Sequence, residues 1–440
     1  MIPKIQKIQL ISCLLIAVSL PALPFIYINI FSAIFLLTTV LKYIITRNDI
    51  KKGKDTVLEF ILFICPFILI VGLYGLDILD SYEIVESLKK LEKKAAFLIF
   101  PLIYLLDPLF IKNNVKSVTK AFCVGVMFVN LVCYVNAFYR FIFDTQTLQS
   151  SSNWDNISVL SATDNAFKYD YFFYQEFLSP FAIPPFYFSL YVSFSISILF
   201  FIYLFRAKRA SNKKIILIVA YILISVLVLV QLSVRGVIIP FIILGGGVLV
   251  WNLLRSKVPK ITIIGISLFA VILLVLIFQA PLVKKRLFKD LQDSISNYHE
   301  ARPNSIKLRL IIYECAVNVL KQSPLIGYGQ RESNELLWQC SQEKLPKEYT
   351  HKYNAHNQYL QFSIQFGLLG LIIILTPIVS PILYFRRCRS LYIIFFSLVL
   401  IGFMSESMLS RFHGFMFFFF FYTILLSQMK VNHASMSRPN

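Results

Sequence analysis

The chain has 440 residues, of which 57% are hydrophobic and only 15% are charged. Soluble domains carry roughly 25% charged residues, so this composition excludes an ordinary soluble enzyme and indicates a membrane protein. The formal net charge of +20 would suit nucleic acid, but the basic residues fall mostly in short loops between apolar runs. No nucleic-acid-binding motif accompanies them, so the charge marks cytoplasmic loops and nucleic acid is not expected as a partner.

Apolar runs close to the roughly 18 residues that cross a bilayer recur along the whole chain. The predicted fold is an all-α integral membrane protein with about twelve transmembrane helices. The predicted spans are 8–23, 25–45, 56–77, 93–111, 118–141, 184–205, 214–234, 236–254, 261–283, 358–385, 390–408 and 412–428. The first lacks a convincing cleavage site, so we interpret it as a membrane helix and not a signal peptide. With a cytoplasmic N-terminus, this count places the basic loops on the cytoplasmic side.

Three segments then fall on the outer face, and the longest, 284–357, is too long for a turn. Long loops of this kind often carry function. Two stretches in it predict helices, "KKRLFKDLQDSISNYHE" and "NSIKLRLIIYECAVNVLKQSP". The second has an apolar stripe through Ile306, Leu310, Val317 and Leu320. The chain is thereby divided into membrane helices over 1–283, a helical periplasmic loop over 284–357, and membrane helices with a cytoplasmic tail over 358–440.

The cysteines are scattered and form no CxxC pair, so a zinc site or a thioredoxin-like centre is not expected. Most lie in apolar runs, where cysteine is a small packing residue. Cys315 and Cys340 both fall in the long loop, and a disulfide can join them if that loop is extracytoplasmic.

Two arginines on the predicted outer face are candidates for binding an anion. Arg235 interrupts a long apolar stretch, "VLVQLSVRGVIIPFII", at the outer mouth of two predicted helices. A snorkelling turn residue beside Gly236 is the alternative, but an intramembrane arginine away from the basic loops usually pairs with an anionic group. Arg309 lies on the predicted loop helix beside Lys307, where a solvated residue and an anion-binding residue are equally good interpretations.

His356 is the candidate for proton transfer, in "YNAHNQYLQFSIQFGLLG", where a polar stretch meets an apolar run. A lone histidine is more often structural, and Asn354 or Asn357 can simply cap the helix that follows. Imidazole is nevertheless the side chain best suited to move a proton near neutral pH. Further along the same segment, Gly367 and Gly370 predict close packing of the helix against a neighbour.

Several of these segments, taken in order, resemble the O-antigen ligase and polymerase superfamily. They are "SVRG" after one span, "SIKLRLIIYECAVNVLKQSPLIGYG" in the long loop, "NAHNQYLQFSIQFGLLG" at the next span and the ending "SESMLSRFHGFMFFFFF". The resemblance covers residues 215–428 and is closest to O-antigen ligases. It implies a polytopic, GT-C-like glycosyltransferase of the bacterial inner membrane. Such an enzyme moves a glycan from undecaprenyl diphosphate to an acceptor at the periplasmic face.

The resemblance also implies roles for individual residues. His356 would be the catalytic residue, while Arg235 and Arg309 would bind the donor diphosphate. The supporting residues would be Asn354, Asn357 and Arg411. Guanidinium groups suit a departing diphosphate, and a histidine suits an acceptor hydroxyl that must lose its proton. The implied partners are the undecaprenyl-diphosphate-linked glycan, lipid A–core or another glycan as acceptor, and the bilayer; no metal and no other cofactor are implied.

Other functions stay open at this point. A polymerase of the same superfamily would use a second lipid-linked repeat unit as acceptor, and a protein O-oligosaccharyltransferase would use a Ser or Thr side chain. A transporter of an anionic lipid-linked glycan would use the arginines only for binding. The absence of a visible internal repeat and the position of His356 at one membrane face favour the enzyme.

Overall fold

The computed structural model describes residues 1–46, 54–79, 96–143, 169–181, 183–200, 212–255, 305–346, 351–385 and 390–434. Within these ranges the secondary structure is helical and includes no β-strand, so the predicted all-α membrane fold is confirmed. The predicted span 261–283 and the first predicted loop helix, 284–300, lie outside the described residues.

The α-helices of the described ranges are numbered here in chain order. They are α1 (Ile2–Ser19), α2 (Phe25–Thr46), α3 (Lys54–Phe63), α4 (Cys65–Leu79), α5 (Ala96–Leu106), α6 (Pro108–Phe143), α7 (Tyr174–Phe177), α8 (Pro185–Ile198), α9 (Asn212–Leu232), α10 (Arg235–Arg255), α11 (Ser305–Gln322), α12 (Gly329–Lys344), α13 (Gln358–Tyr384), α14 (Ser390–Ser405) and α15 (Phe412–Ala434). Every predicted span except 261–283 coincides with one or two of them. This agreement follows from the bilayer, in which an apolar segment can satisfy its own backbone only as a helix.

Six of the described helices are long and apolar enough to cross a bilayer, or seven spans result if one bent pair is counted together. That pair is α3 and α4, whose apolar parts meet at 45°. Pro66 lies in the first turn of α4, a position at which a helix tolerates proline. The same residue would interrupt a helix that continued unbroken from α3 into α4. Shorter apolar helices occur at Phe97–Leu106, Pro185–Ile198 and Leu391–Ser405. The total of about twelve spans stays a prediction.

Large apolar side chains on the surface mark the sides of the helices that face lipid. Ile216 and Leu217 of α9 are 66% and 70% exposed, and Leu383 near the end of α13 is 78% exposed. A soluble protein rarely leaves contiguous surfaces of this kind open to water, whereas the bilayer core solvates them. The bilayer is therefore the solvent for this fold.

The chain folds as two compact units that do not follow chain order. The first consists of Met1–Cys13, Asn29–Ser117 and Ala280–Asn440, and the second of Leu14–Ile28 and Val118–Gln279. The division into 1–283, 284–357 and 358–440 rests on loops and spans, and it stays a prediction.

Aromatic rings fill the membrane core of the first unit. Phe67 of α4, Phe97 of α5 and Phe419 of α15 have ring centroids 4.7–6.1 Å apart in tilted and edge-to-face contacts. Pairs of this geometry contribute about 0.5–1.5 kcal/mol each beyond simple burial. They join helices that are far apart in sequence into one scaffold.

In the second unit, partly buried polar contacts join α6 to α9. The Tyr134 hydroxyl donates to the Gln231 side chain at 2.7 Å, and the Tyr221 hydroxyl donates to the Cys123 carbonyl at 3.0 Å. Polar groups in lipid are costly unless they are paired, so these contacts fix the register of the two helices. α9 leads directly into the turn before Arg235.

The two helices of the long loop that are described, α11 and α12, pack on each other and on the start of α13. Their common core contains Ile312, Cys315, Ala316, Val319, Leu337, Ala355 and Ile364. The predicted helix after residue 304 is confirmed. Its predicted stripe is only partly buried: Leu320 packs against this core, but Leu310 and Val317 are 47% and 39% exposed. α11 carries apolar residues around most of its circumference, and the side that packs is the one with the small Cys315 and Ala316, which allow close approach.

α13 is broken in the middle, at Gly367, where φ is +64° and ψ is −167°. The segment that follows α11 supplies partners for the backbone groups freed by this break. The Leu368 N–H donates to the Pro324 carbonyl at 2.9 Å, and the Tyr328 N–H donates to the Ile364 carbonyl at 3.0 Å. An interrupted helix is tolerated at membrane depth only when neighbouring protein satisfies its backbone in this way. The loop and the span are thus hydrogen-bonded to each other.

Replacement of Gly367 tests this junction. A Cβ at Gly367 would lie 2.0 Å from the Leu325 carbonyl oxygen, and the positive φ disfavours any other residue. We expect Gly367→Ala to destabilise the protein by at least about 2 kcal/mol, measured by thermal unfolding in detergent. The matched control is Gly72→Ala in α4, where a Cβ meets nothing within 4 Å. It should be neutral or slightly stabilising, and equal loss in both variants would contradict the junction.

Cys315 of α11 and Cys340 of α12 form a disulfide, with Cα atoms 5.7 Å apart. The pairing that the sequence left open is therefore present. We expect the double variant Cys315→Ser, Cys340→Ser to lose about 2–4 kcal/mol of stability in the loop helices, because the cross-link restrains the unfolded loop. Hydrogen exchange of α11 and α12 measures this loss, with Cys65→Ser, a free cysteine, as control. Maleimide labelling of Cys315 and Cys340 in native membranes without reductant would show that the bond is absent.

Candidate active site

The segment that carries His356 is held in place by Ala355, the residue that precedes the histidine. Ala355 is fully buried in the core shared by the loop helices and α13. Its N–H donates to the Gln361 side-chain oxygen at 2.8 Å, and the Gln361 amide donates to the Asn334 side chain of α12 at 3.1 Å. Gln361 is 1% exposed, so both of its polar ends are used inside the protein. The loop is fixed to α12 and α13 one residue before the histidine.

His356 itself adopts an unusual backbone conformation, with φ at +43°. A non-glycine residue in this left-handed region costs on the order of 1 kcal/mol or more and persists only where the surroundings require it. Both of its backbone polar groups are held: its N–H donates to the Asn354 side chain at 3.0 Å, and its carbonyl accepts from the Tyr313 hydroxyl at 3.1 Å. The conformation turns the chain sharply just before α13 begins.

Asn357 is the N-cap of α13, as one of the two predicted alternatives had it. Its side-chain oxygen accepts the N–H groups of Tyr359 and Leu360 at 2.9 and 3.2 Å. Asn354 instead binds the backbone of His356, so the two asparagines that flank the histidine shape the turn and start the helix. Whether either contacts substrate stays a prediction.

The imidazole of His356 lies beside a carboxylate, with Nδ1 3.5 Å from Glu406 Oε2. The two side chains are 21% and 13% exposed, so the pair is largely shielded from water while the ring keeps an open side. Burial by itself would raise the pKa of the Glu406 carboxyl. The His356 hydrogen bond and charge, together with Arg309 and Arg411, outweigh that effect and hold the pKa below its ordinary value. Glu406 is therefore ionised at neutral pH.

Two guanidinium groups belong to the same electrostatic neighbourhood. Arg309 of α11 is half-buried and Arg411, just before α15, is exposed; the charges of both act on the Glu406 carboxyl. Within the described part of the chain, neither side chain makes a hydrogen bond or an ion pair. With two guanidiniums against one carboxylate, the cluster carries an excess positive charge. Guanidiniums whose hydrogen-bond donors are not used in this way can bind an anion from outside.

Arg235 is the first residue of α10, after a turn in which Ser233 has a φ of +50°. It belongs to the second unit, whereas His356, Arg309 and Arg411 belong to the first. The structure therefore brings together His356, Arg309 and the supporting residue Arg411. The convergence of Arg235 with them stays a prediction.

Two residues of this site were not identified from the sequence. Glu406 lies in the quoted ending "SESML", where an acidic residue between two strongly apolar helices was a signal that could have been used. Tyr313 gave no comparable signal, because an amphipathic helix carries many such tyrosines. The polar helix α12, which supplies Asn334, was also missed, since its buried residues Ser333, Leu337 and Ser341 include only one strongly apolar side chain.

These groups place an imidazole–carboxylate pair beside two guanidiniums, an arrangement that could supply a base and bind an anion. An imidazole with an ionised carboxylate at one nitrogen can accept a proton at the other, and nearby guanidiniums stabilise negative charge on a leaving group. Such a pair serves transfer of a group from an anionic leaving group to a hydroxyl.

Residues 220–375 match the sequence model of a family described as O-antigen ligase. The matched range contains Arg235, Arg309 and His356, while Glu406 and Arg411 lie beyond it. An uncharacterized protein of Haemophilus influenzae is 27% identical over 131 residues, which is 29% of this chain and 33% of that relative. The chain thus matches only about a third of that relative's length.

The family match and the all-α membrane fold agree with the resemblance of the sequence motifs. The chain is a multi-pass membrane protein, and its residues 220–375 are similar to the O-antigen ligase family.

Proposed function

We propose that this protein transfers a glycan from undecaprenyl diphosphate to an acceptor sugar hydroxyl at the periplasmic face of the bacterial inner membrane. The proposed acceptor is lipid A–core, which makes the reaction O-antigen ligation. The observation that carries the proposal is the cluster of His356, ionised Glu406 and the two guanidiniums of Arg309 and Arg411, which make no hydrogen bond or ion pair with a described protein group. A base beside an open anion site is what this transfer requires.

The reaction balances without a further reagent. His356 takes the proton of the acceptor hydroxyl as its oxygen bonds to the anomeric carbon of the donor. The bond from that carbon to the diphosphate oxygen breaks, and its electron pair leaves with undecaprenyl diphosphate. Because the leaving group is already activated, the protein has to supply a base, orientation and charge stabilisation.

The arginines are proposed to bind the diphosphate. Arg309 and Arg411 offer planar guanidiniums that can make paired hydrogen bonds to phosphate oxygens, which a lysine cannot reproduce. Arg235 is proposed to supply a further guanidinium from the second unit. No nucleotide sugar enters this scheme, since the lipid carrier brings the activated glycan.

The disulfide of the loop supports a periplasmic site. Disulfides persist in the periplasm and are rare in the reducing cytoplasm. Cys315 lies in α11, the helix that also carries Arg309, and its partner Cys340 lies in α12, which binds the anchor residue Gln361. A site built on disulfide-linked helices is therefore proposed to face the oxidising side.

The acceptor is the part of the proposal that an assay has to decide. Purified protein in proteoliposomes can be given the lipid-linked donor with lipid A–core, with a second lipid-linked repeat unit, or with a Ser/Thr peptide. We expect glycosylated product with lipid A–core. Product only with the second lipid-linked repeat unit would indicate a polymerase, and product only with the peptide would indicate a protein glycosyltransferase. Movement of the carrier with no glycosidic bond formed would instead assign a transporter.

Replacement of His356 tests the base. Asparagine tolerates a positive φ, so His356→Asn keeps the turn while removing the imidazole. We expect transfer to fall by about 100-fold or more with donor binding retained, because general base catalysis contributes about 10²–10⁴-fold. The matched control is His351→Asn, an exposed histidine of the same loop, which should act like the wild type. Full activity of the His356 variant in reconstituted membranes would refute the catalytic role.

Substitution of arginine by lysine tests the anion site. Arg309→Lys and Arg235→Lys keep the charge but lose the forked hydrogen bonds, which are worth about 1.5–3 kcal/mol each when charge-assisted. We expect kcat/KM for the lipid-linked donor to fall about 10- to 100-fold in each variant. Arg331→Lys, on the exposed side of α12, is the control and should have no effect. Wild-type kinetics of Arg309→Lys would indicate that Arg309 is an ordinary solvated residue. Wild-type kinetics of Arg235→Lys would indicate that Arg235 is a snorkelling residue.

A further inference from the structure

We propose that Glu406 and Tyr313 are positioning residues for His356, which together fix the tautomer and the placement of its imidazole. Glu406 holds the proton on Nδ1, so that Nε2 presents its lone pair, and Tyr313 ties together the two chain segments that carry the pair. The inference deepens the proposed function, on which its kinetic part rests.

The contact between His356 and Glu406 defines the tautomer. At 3.5 Å, Nδ1 and Oε2 are at the outer limit of a hydrogen bond, a length common in active sites that tighten when substrate binds. An ionised carboxylate can only accept, so of the two imidazole tautomers it favours the one that carries its proton on Nδ1. Carboxylates that face histidines in this way orient the ring and stabilise the imidazolium formed on proton transfer. Nε2 is then the nitrogen left for an acceptor hydroxyl.

The two partners come from segments that are far apart in sequence, and one hydroxyl bridges them. The Tyr313 oxygen lies 3.1 Å from the His356 carbonyl oxygen and 3.0 Å from the Met404 carbonyl oxygen. Met404 precedes Glu406 by two residues, near the end of α14. One phenolic proton is shared between two acceptors, so Tyr313 holds the backbone beside each member of the pair.

Tyr313 remains a donor under physiological conditions. Burial raises the pKa of its hydroxyl, Arg309 lowers it, and Glu406 raises it, with a net rise above the ordinary value. The phenol therefore stays protonated well beyond neutral pH. It also follows Arg309 by one helical turn, so the same side of α11 presents the guanidinium and the positioning hydroxyl.

The strained turn explains why such a bridge is needed. His356 at φ +43° returns to a more favourable conformation unless its backbone is held from both sides. Asn354 holds the N–H, and Tyr313 holds the carbonyl. Loss of the hydroxyl leaves the carbonyl free to rotate, which moves the ring relative to Glu406.

The chain offers a close control for removal of this hydroxyl. Tyr359 also donates to a backbone carbonyl of α14, that of Leu400, at 2.7 Å and one turn before Met404, but it has no bond to His356. We expect Tyr313→Phe to lower kcat about tenfold with the donor KM within about twofold, and Tyr359→Phe to change neither by more than about twofold. Glu406→Gln should lower kcat about 100-fold, because an amide can also select the wrong tautomer.

A spectroscopic measurement tests the inference without any substrate. Nitrogen NMR of histidine-labelled protein reports which ring nitrogen carries the proton, and His356→Asn identifies the His356 signals among the five histidines. We expect the Nδ1–H form in the wild type and in Tyr359→Phe, a loss of that preference in Glu406→Gln, and a partial loss in Tyr313→Phe. A dominant Nε2–H form in the wild type, or a wild-type spectrum in both the Glu406 and the Tyr313 variants, would overturn the proposal.

The kinetic and NMR measurements together distinguish a failure of this inference from a failure of the proposed function. If His356→Asn remains active while the tautomers behave as expected, the positioning geometry is correct and the proposed reaction is wrong. If His356→Asn is inactive but Tyr313→Phe matches Tyr359→Phe in both kcat and tautomer, the reaction stands and the role of Tyr313 fails.

Discussion

The candidate site depends on keeping one strained residue in place at the start of a long apolar helix. His356 sits in a left-handed conformation between a buried alanine and the N-cap of a membrane helix. The backbone is secured at three successive residues, through Gln361 to Ala355, through Asn354 and Tyr313 to His356, and through Asn357 to α13. Each hydrogen bond is modest alone, but they act on adjacent residues, so no single dihedral angle can relax independently.

Electrostatics then gives this geometry its chemical character. A carboxylate taken out of water is costly unless cations surround it, and Glu406 has His356, Arg309 and Arg411 for that purpose. One acid cannot neutralise two guanidiniums, which leaves positive charge with no described protein partner. In the proposed reaction this excess positive charge stabilises the departing diphosphate, while the Glu406 carboxylate orients His356. The same group of residues thereby separates its acid–base function from its anion-binding function.

The sequence predicted the parts of this arrangement that depend only on residues close together in the chain. Apolar runs predicted the helices because lipid permits little else. Asn354 and Asn357 predicted a cap, because an asparagine just before an apolar run commonly caps the helix that follows. Glu406 and Tyr313 were not found, since their roles come from pairings 50 and 43 residues away in the chain. The stripe of α11 was misjudged for a related reason. Where apolar residues surround a helix, the partner helices decide which side is buried, and periodicity alone does not identify them.

The broken helix α13 shows how such long-range pairing joins the loop to a membrane helix. Its first half carries the cap and the buried Gln361, and its break at Gly367 is closed by backbone from the loop. The described loop segment and α13 are consequently hydrogen-bonded to each other at the break, while the second half of the helix exposes apolar side chains such as Leu383. The polyprenyl-linked substrate proposed above has a similar division, between a polar head and a lipid tail. A protein whose site is built across that boundary can hold the sugar phosphate firmly without extracting the tail from the bilayer.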